Sequence, residues 1–131
     1  MSARLTVNLL TAALVPGDAI GHYILTLRRL LGGLGLRVRL YADSIHPDFP
    51  APAQPSTWYL PTGQSVLWYH YSIGSPTIQM AAASHDFTIM DYHGVSPPAL
   101  FAGYEPELAR LCQQGVDLLP QVRGRFSTQI V

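Results

Sequence analysis

Val66-Leu67-Trp68-Tyr69-His70-Tyr71, residues 66–71, is a continuous apolar and aromatic run bounded by Gly63-Gln64-Ser65 before it and Ser72-Ile73-Gly74-Ser75-Pro76 after it. It has no polar face, so it predicts a strand buried on both sides, as in a parallel sheet covered by helices on each face. Phe87-Thr88-Ile89-Met90-Asp91-Tyr92 repeats the pattern and closes on His93-Gly94-Val95-Ser96-Pro97-Pro98. Parallel strands need a crossover between them, and Ser75 to Ala83 predicts a short helix there, with Pro76 tolerated in its first turn.

Outward from this pair, Leu5, Val7 and Leu9 alternate with Thr6 and Asn8, which predicts a first strand ending near Thr11. Asp18 is a good N-cap. Ile20, Ile24, Leu27, Leu31 and Leu34 then recur at helical spacing, with Arg28 and Arg29 on the other face, until Gly32, Gly33 and Gly35 end the helix. Leu36 to Ala42 predicts a second strand. From Asp43 to Gln64 five prolines and little periodicity predict a long surface excursion. Pro106 opens a last helix with Leu108, Leu111, Cys112 and Leu118 or Leu119 as its apolar stripe, and Arg125 to Val131 reads as a fifth strand with no helix after it. The order is that of a single α/β domain over residues 1–131 with a Rossmann-like, mostly parallel sheet and flanking helices. A strand left uncovered in this way predicts self-association.

Composition narrows the chemistry. The 131 residues suffice for one domain, and 48% apolar against 12% charged residues argues against disorder. All eight basic residues are arginine, so a Schiff-base lysine, a Ser-Lys dyad and a lysine-bearing phosphate loop are excluded. A net charge of zero without basic runs argues against nucleic acid as a partner. One cysteine, Cys112, allows neither a disulfide nor a cysteine zinc site. The chain therefore reads as cytoplasmic and independent of metal, with Cys112 in the core. Met1 to Arg4 followed by apolar residues resembles a weak signal peptide, but strand-like alternation interrupts the run, and no stretch reaches the ~18 apolar residues of a membrane span.

Ligands of an open α/β sheet bind beyond the carboxyl ends of its strands, where His70 and His93 both fall. Either histidine alone is equally well read as a half-buried structural residue. Tyr69, Tyr71 and Tyr92 offer amphipathic walls, Ser72 and Ser75 would need an oriented base to act as nucleophiles, and no G-x-S-x-G elbow is present. Asp91 lies two residues before His93 on the same strand face, as an orienting or a solvated carboxylate. Pro16-Gly17-Asp18-Ala19-Ile20-Gly21-His22 joins the first strand to the first helix, where glycine permits close ligand approach and free amides favour an anion. It lacks the dinucleotide fingerprint, which disfavours a nucleotide-dependent oxidoreductase.

Gly17-Asp18-Ala19-Ile20-Gly21-His22 with Leu27-Arg28-Arg29-Leu30, Tyr69 through Pro76, and Tyr92 through Pro98 with Phe101-Ala102-Gly103-Tyr104 together resemble the N-terminal domain of family 4 retaining glycosyltransferases of the GT-B fold. The resemblance implies metal-independent and cofactor-free transfer of a sugar from a nucleotide-sugar donor to an acceptor hydroxyl, in a cleft between two Rossmann-like domains. It implies His93 as the catalytic strand-end histidine and Gly17 and Asp18 as the donor-facing loop. His70 matches the companion motif, with Tyr71, Ser72 and Tyr92 as further substrate contacts. The C-terminal donor domain that the family carries is not in this sequence, so the chain alone is expected to be inactive and to need that domain as a partner. Gly94 stands where many relatives have Asn. The alternative is a non-catalytic saccharide-binding or interaction module of the same fold.

Overall fold

A computed structural model describes residues 4–131. The parts of the signal-peptide and domain readings that concern residues 1–3 lie outside the described residues. Six strands form one all-parallel sheet: β1 (Thr6–Leu14), β2 (Arg37–Ile45), β3 (Gln54–Pro55), β4 (Val66–Tyr71), β5 (Phe87–Tyr92) and β6 (Thr128–Ile130), in the spatial order β3-β2-β1-β4-β5-β6. Among the described residues three α-helices accompany them: α1 (Ala19–Gly33), α2 (Thr77–Ala82) and α3 (Pro106–Val122). This is the Rossmann-like α/β architecture expected from the order of patterns.

The helices divide the sheet into two cores. On one face α1 lays Ile24, with Ile20, Leu27 and Leu31 beside it, over Val7, Leu9, Leu40 and Ala42. On the other, α2 and α3 bring Ile78, Ala81, Ala82 and Val122 onto Leu10, Leu67, Tyr69, Tyr71 and Met90. Alternation along β4 therefore sends Tyr69 and Tyr71 to the α2/α3 side and Trp68 and His70 to the α1 side. In-register pairing of Thr11 with His70, and of His70 with Asp91, then aligns three polar side chains on that face. Further along the same face, beyond the reach of α1, Phe87 and Ile130 are exposed.

Asp18 caps α1 as expected, accepting from the Gly21 amide at 3.3 Å. Pro106 occupies the first turn of α3, and Cys112 is buried. Three expectations need correction. β1 runs on to Leu14 rather than ending near Thr11, because small Ala12 and Ala13 let the ladder with β2 continue through Ala13–Ser44 and Leu14–Ile45. The segment from Asp43 to Gln64 is not merely a surface excursion. Its first residues prolong β2, Gln54–Pro55 adds an edge strand that tolerates a missing N–H, and Phe49, Ser56 and Tyr59 are buried. The final strand is the sixth, shortened to Thr128–Ile130 after a 3-10 turn at Arg123–Arg125, while Phe126 packs edge-on against Tyr69 in the core.

The carboxyl end of β4 is locked to the middle of α3 by close backbone contact. Gly74 donates its amide to Leu111 O at 2.9 Å, a Cβ on Gly115 would lie 3.0 Å from the Gly74 nitrogen, and Tyr71 Oη donates to Gly115 O at 2.5 Å.

Candidate functional site

The chain passes from β3 at one edge of the sheet to β4 beside β1, so connections leave β1 and β4 in opposite directions and open a crevice at their carboxyl ends. A cavity of about 320 Å³ occupies this crevice, lined by Thr11, Ala13, Asp18, Ser72, Ile73 and Cys112 among others. Thr11 and Ser72 carry it to the edge of the polar cluster, since Thr11 is the register partner of His70 and Ser72 lies two residues beyond it. A groove of about 450 Å³ along β2 and β3, walled by Val38 to Tyr41, Pro52 to Gln54 and Trp58, lies on the far side of β1 and contains no buried titratable cluster.

The cluster itself joins β4, β5 and α1. His70 Nδ1 and His93 Nε2 face each other at 3.0 Å, with the rings roughly stacked at 5.2 Å between centroids. Asp91 lies beneath them, its Oδ1 3.6 Å from His93 Nε2 and its Oδ2 3.9 Å from His70 Nδ1. Asp91 Oδ2 accepts from Tyr23 Oη at 2.9 Å and from Trp68 Nε1 at 3.0 Å. Tyr23 reaches down from α1 and sets its ring edge against both imidazoles. Among the described residues Asp91 Oδ1 accepts no hydrogen bond, and His70 Nε2 is buried without a partner.

Burial, aided by the neighbouring His93, drives the His70 pKa down from 6.5 to about 3, so the 3.9 Å approach to Asp91 is not an ion pair. A neutral imidazole has one N–H, and either tautomer leaves His70 Nε2 as an unpaired donor or an unpaired acceptor. Burial first, and then the hydrogen bond to Asp91, pushes the Tyr23 phenol up to about 12, so Tyr23 stays a donor. His93 is the cluster's outlet: its side chain is 19% exposed against 0% for His70 and 7% for Asp91.

The seven residues read from sequence separate on this map. His93 is the partly exposed member of the cluster, and Ser72 and Asp18 line the crevice. Gly17 sits beside Asp18 at φ +77°, a conformation that itself favours glycine, and open space lies where a Cβ would point. His70 is fully buried and meets solvent only through His93. Tyr71 is not brought to this side: it lies in the α2/α3 core with its hydroxyl on Gly115 O, and half-buried Tyr92 packs against it there. Asp18 spends its carboxylate on the first turn of α1, so the anion position at that helix end is already filled from within the chain.

Sequence reasoning missed Tyr23 and Trp68. Trp68 was within reach, being two residues before His70 on one strand face, whereas Tyr23 bonds across 68 residues and carries no local signal.

A scan of family models finds no match to this chain, and neither does a search of curated proteins or of solved structures. Among the described residues no helix is long and apolar enough to cross a membrane.

Proposed function

We propose that the chain is the acceptor-side half of a retaining glycosyltransferase, binding a hydroxyl acceptor at the carboxyl edge of its sheet and completing a nucleotide-sugar cleft with a second domain. The reading is carried by the position of His93, just past the carboxyl end of β5, with one imidazole edge open and the other held by Asp91 and by His70, whose register partner Thr11 lines the β1/β4 crevice. Support also comes from the order of the three motifs, the Gly17 turn and Ser72 lining two cavities that share Val15 and Asp18. Gly94 has φ +84°, a backbone state that asparagine also reaches at single positions.

In this reading His93 hydrogen-bonds a sugar hydroxyl in the cleft and orients it. It is not an obligate base, because in transfer on the donor's own face the leaving diphosphate takes the acceptor proton. The chain's contribution is then positioning and fixed polarity. Asp18 disfavours a phosphate at the end of α1, so the donor diphosphate approaches the Gly17 turn and draws its cationic partners from the second domain.

The test is calorimetric titration of the full chain with a panel of mono- and disaccharide acceptors, beside a turnover assay with nucleotide-sugars. The expected result is weak acceptor binding that disappears in His93→Ala, with no turnover by the chain alone. Acceptor binding that is unchanged in His93→Ala, or no binding across the panel, overturns the proposal.

A further inference from the structure

We propose that His70, Asp91 and His93 form a binding site for a single divalent transition-metal ion of the zinc type. Three groups that serve as ligands to such ions converge here from two adjacent strands: His70 from β4, Asp91 and His93 from β5 and its end. Their facing atoms are separated by 3.0 Å (His70 Nδ1 to His93 Nε2), 3.6 Å (His93 Nε2 to Asp91 Oδ1) and 3.9 Å (His70 Nδ1 to Asp91 Oδ2). A tetrahedral ion with bonds of about 2.0–2.1 Å holds its ligand atoms about 3.3–3.4 Å apart; the two separations that share His93 Nε2, 3.0 and 3.6 Å, bracket that value, and one ligand atom from each of the three residues lies within 4.8 Å of the others.

The surroundings fit as well. Tyr23 and Trp68 hold one carboxylate oxygen from outside and leave Oδ1 without a donor on the side of His93. This is how an outer shell orients a carboxylate ligand. Two imidazoles and one carboxylate suit zinc, cobalt or nickel better than magnesium or calcium, which favour all-oxygen sites. Three protein ligands leave a coordination position for water or another small ligand, and His93 marks the solvent side on which that position opens.

This assignment does not rest on the glycosyl-transfer reading. The metal would take His93 Nε2, the nitrogen that faces His70 and Asp91, whereas a sugar hydroxyl would meet the open edge of the ring, so the outcome of one titration leaves the other free to succeed or fail.

The full chain, stripped with a chelator and dialysed, is titrated with Zn2+ by calorimetry and with Co2+ by visible absorption, with Mg2+ and Ca2+ as controls. The expected result is one Zn2+ per chain, visible cobalt bands of a four-coordinate site, and no binding of the hard cations at the same concentrations. His93→Ala, at the partly exposed member, weakens Zn2+ on the order of 100-fold or more, and Tyr23→Phe on the order of 10-fold. A double change of the exposed His46 and His85 to Ala leaves binding unchanged. If His93→Ala does not fold, His93→Gln replaces it. Absence of stoichiometric Zn2+ binding, binding that survives the His93 change, or binding lost with His46 and His85 overturns the proposal.

Discussion

Two buried aspartates stand at opposite ends of β5, and they are used in opposite ways. Asp86, just before the strand, is saturated: its Oδ1 accepts from the amides of Thr62, Gly63 and Ser65 at 3.0, 2.8 and 3.4 Å, and its Oδ2 from Tyr59 Oη at 2.7 Å. Asp91, at the far end, is equally buried, yet among the described residues only one of its oxygens accepts hydrogen bonds, and the other looks toward the His93 imidazole. Asp86 ties the loop before β4 to the amino end of β5 and burial pushes its partner Tyr59 further from ionising. Asp91 lies at the carboxyl end, where the fold leaves a crevice. Burial of a charged group alone is therefore no sign of function; the informative feature is a buried polar group whose bonding capacity is not used up within the chain.

The largest effect that follows from this contrast is on stability. Asp86→Ala strands four donors and is expected to cost roughly 2–4 kcal/mol, read as a lower denaturation midpoint with an unchanged slope. Asp91→Ala strands only Tyr23 Oη and Trp68 Nε1, both on half-buried residues that water can reach, and is expected to cost about 1–2 kcal/mol. Equal losses for the two variants would break the distinction between a structural and an open carboxylate.

A smaller effect comes from pH. In metal-free protein, with chelator present, the native His70 binds its proton near pH 3 and the unfolded one near 6.5, so the unfolded chain takes up the proton first. Stability from this group is fully retained above about pH 6.5 and is lost as the pH falls, at roughly 1.4 kcal/mol per unit once well below 6.5. His70→Phe removes that slope. Acid titration of the denaturation midpoint checks it, and a wild-type profile as flat as the variant's would mean that His70 is not held neutral. The smallest expected change is Tyr23→Phe, about 0.5–1.5 kcal/mol, since Asp91 Oδ2 keeps the Trp68 donor.

Much of this arrangement is legible from residue patterns, though not the part that completes the site. The buried runs at 66–71 and 87–92 announce parallel strands because both faces are apolar, and Asp18 and Pro106 mark helix starts by local chemistry. Asp91 and His93 share a face through simple alternation. That His70 joins them depends on the β4–β5 register, which sets His70 opposite Asp91 and would fail with a slip of one residue. Tyr23 arrives only because α1 crosses that face, a contact set by packing of the whole domain. β3 was hidden for a related reason: two residues with a proline carry no periodicity, and their placement is decided by Phe49 and Tyr59 anchoring the segment on either side.

The central claim is that ligand chemistry resides in the unsaturated cluster at the carboxyl edge and not at the saturated Asp86 end. A two-dimensional 1H–15N map of the full chain, recorded during titration with saccharide acceptors, tests it most directly. The account predicts shifts confined to Gly17, Ser72, His93, Gly94 and the His70 and His93 ring nitrogens, with the amides of Thr62, Gly63 and Ser65 unmoved. Shifts centred on Thr62 to Ser65 or on the β2–β3 groove, with the imidazoles silent, would contradict it.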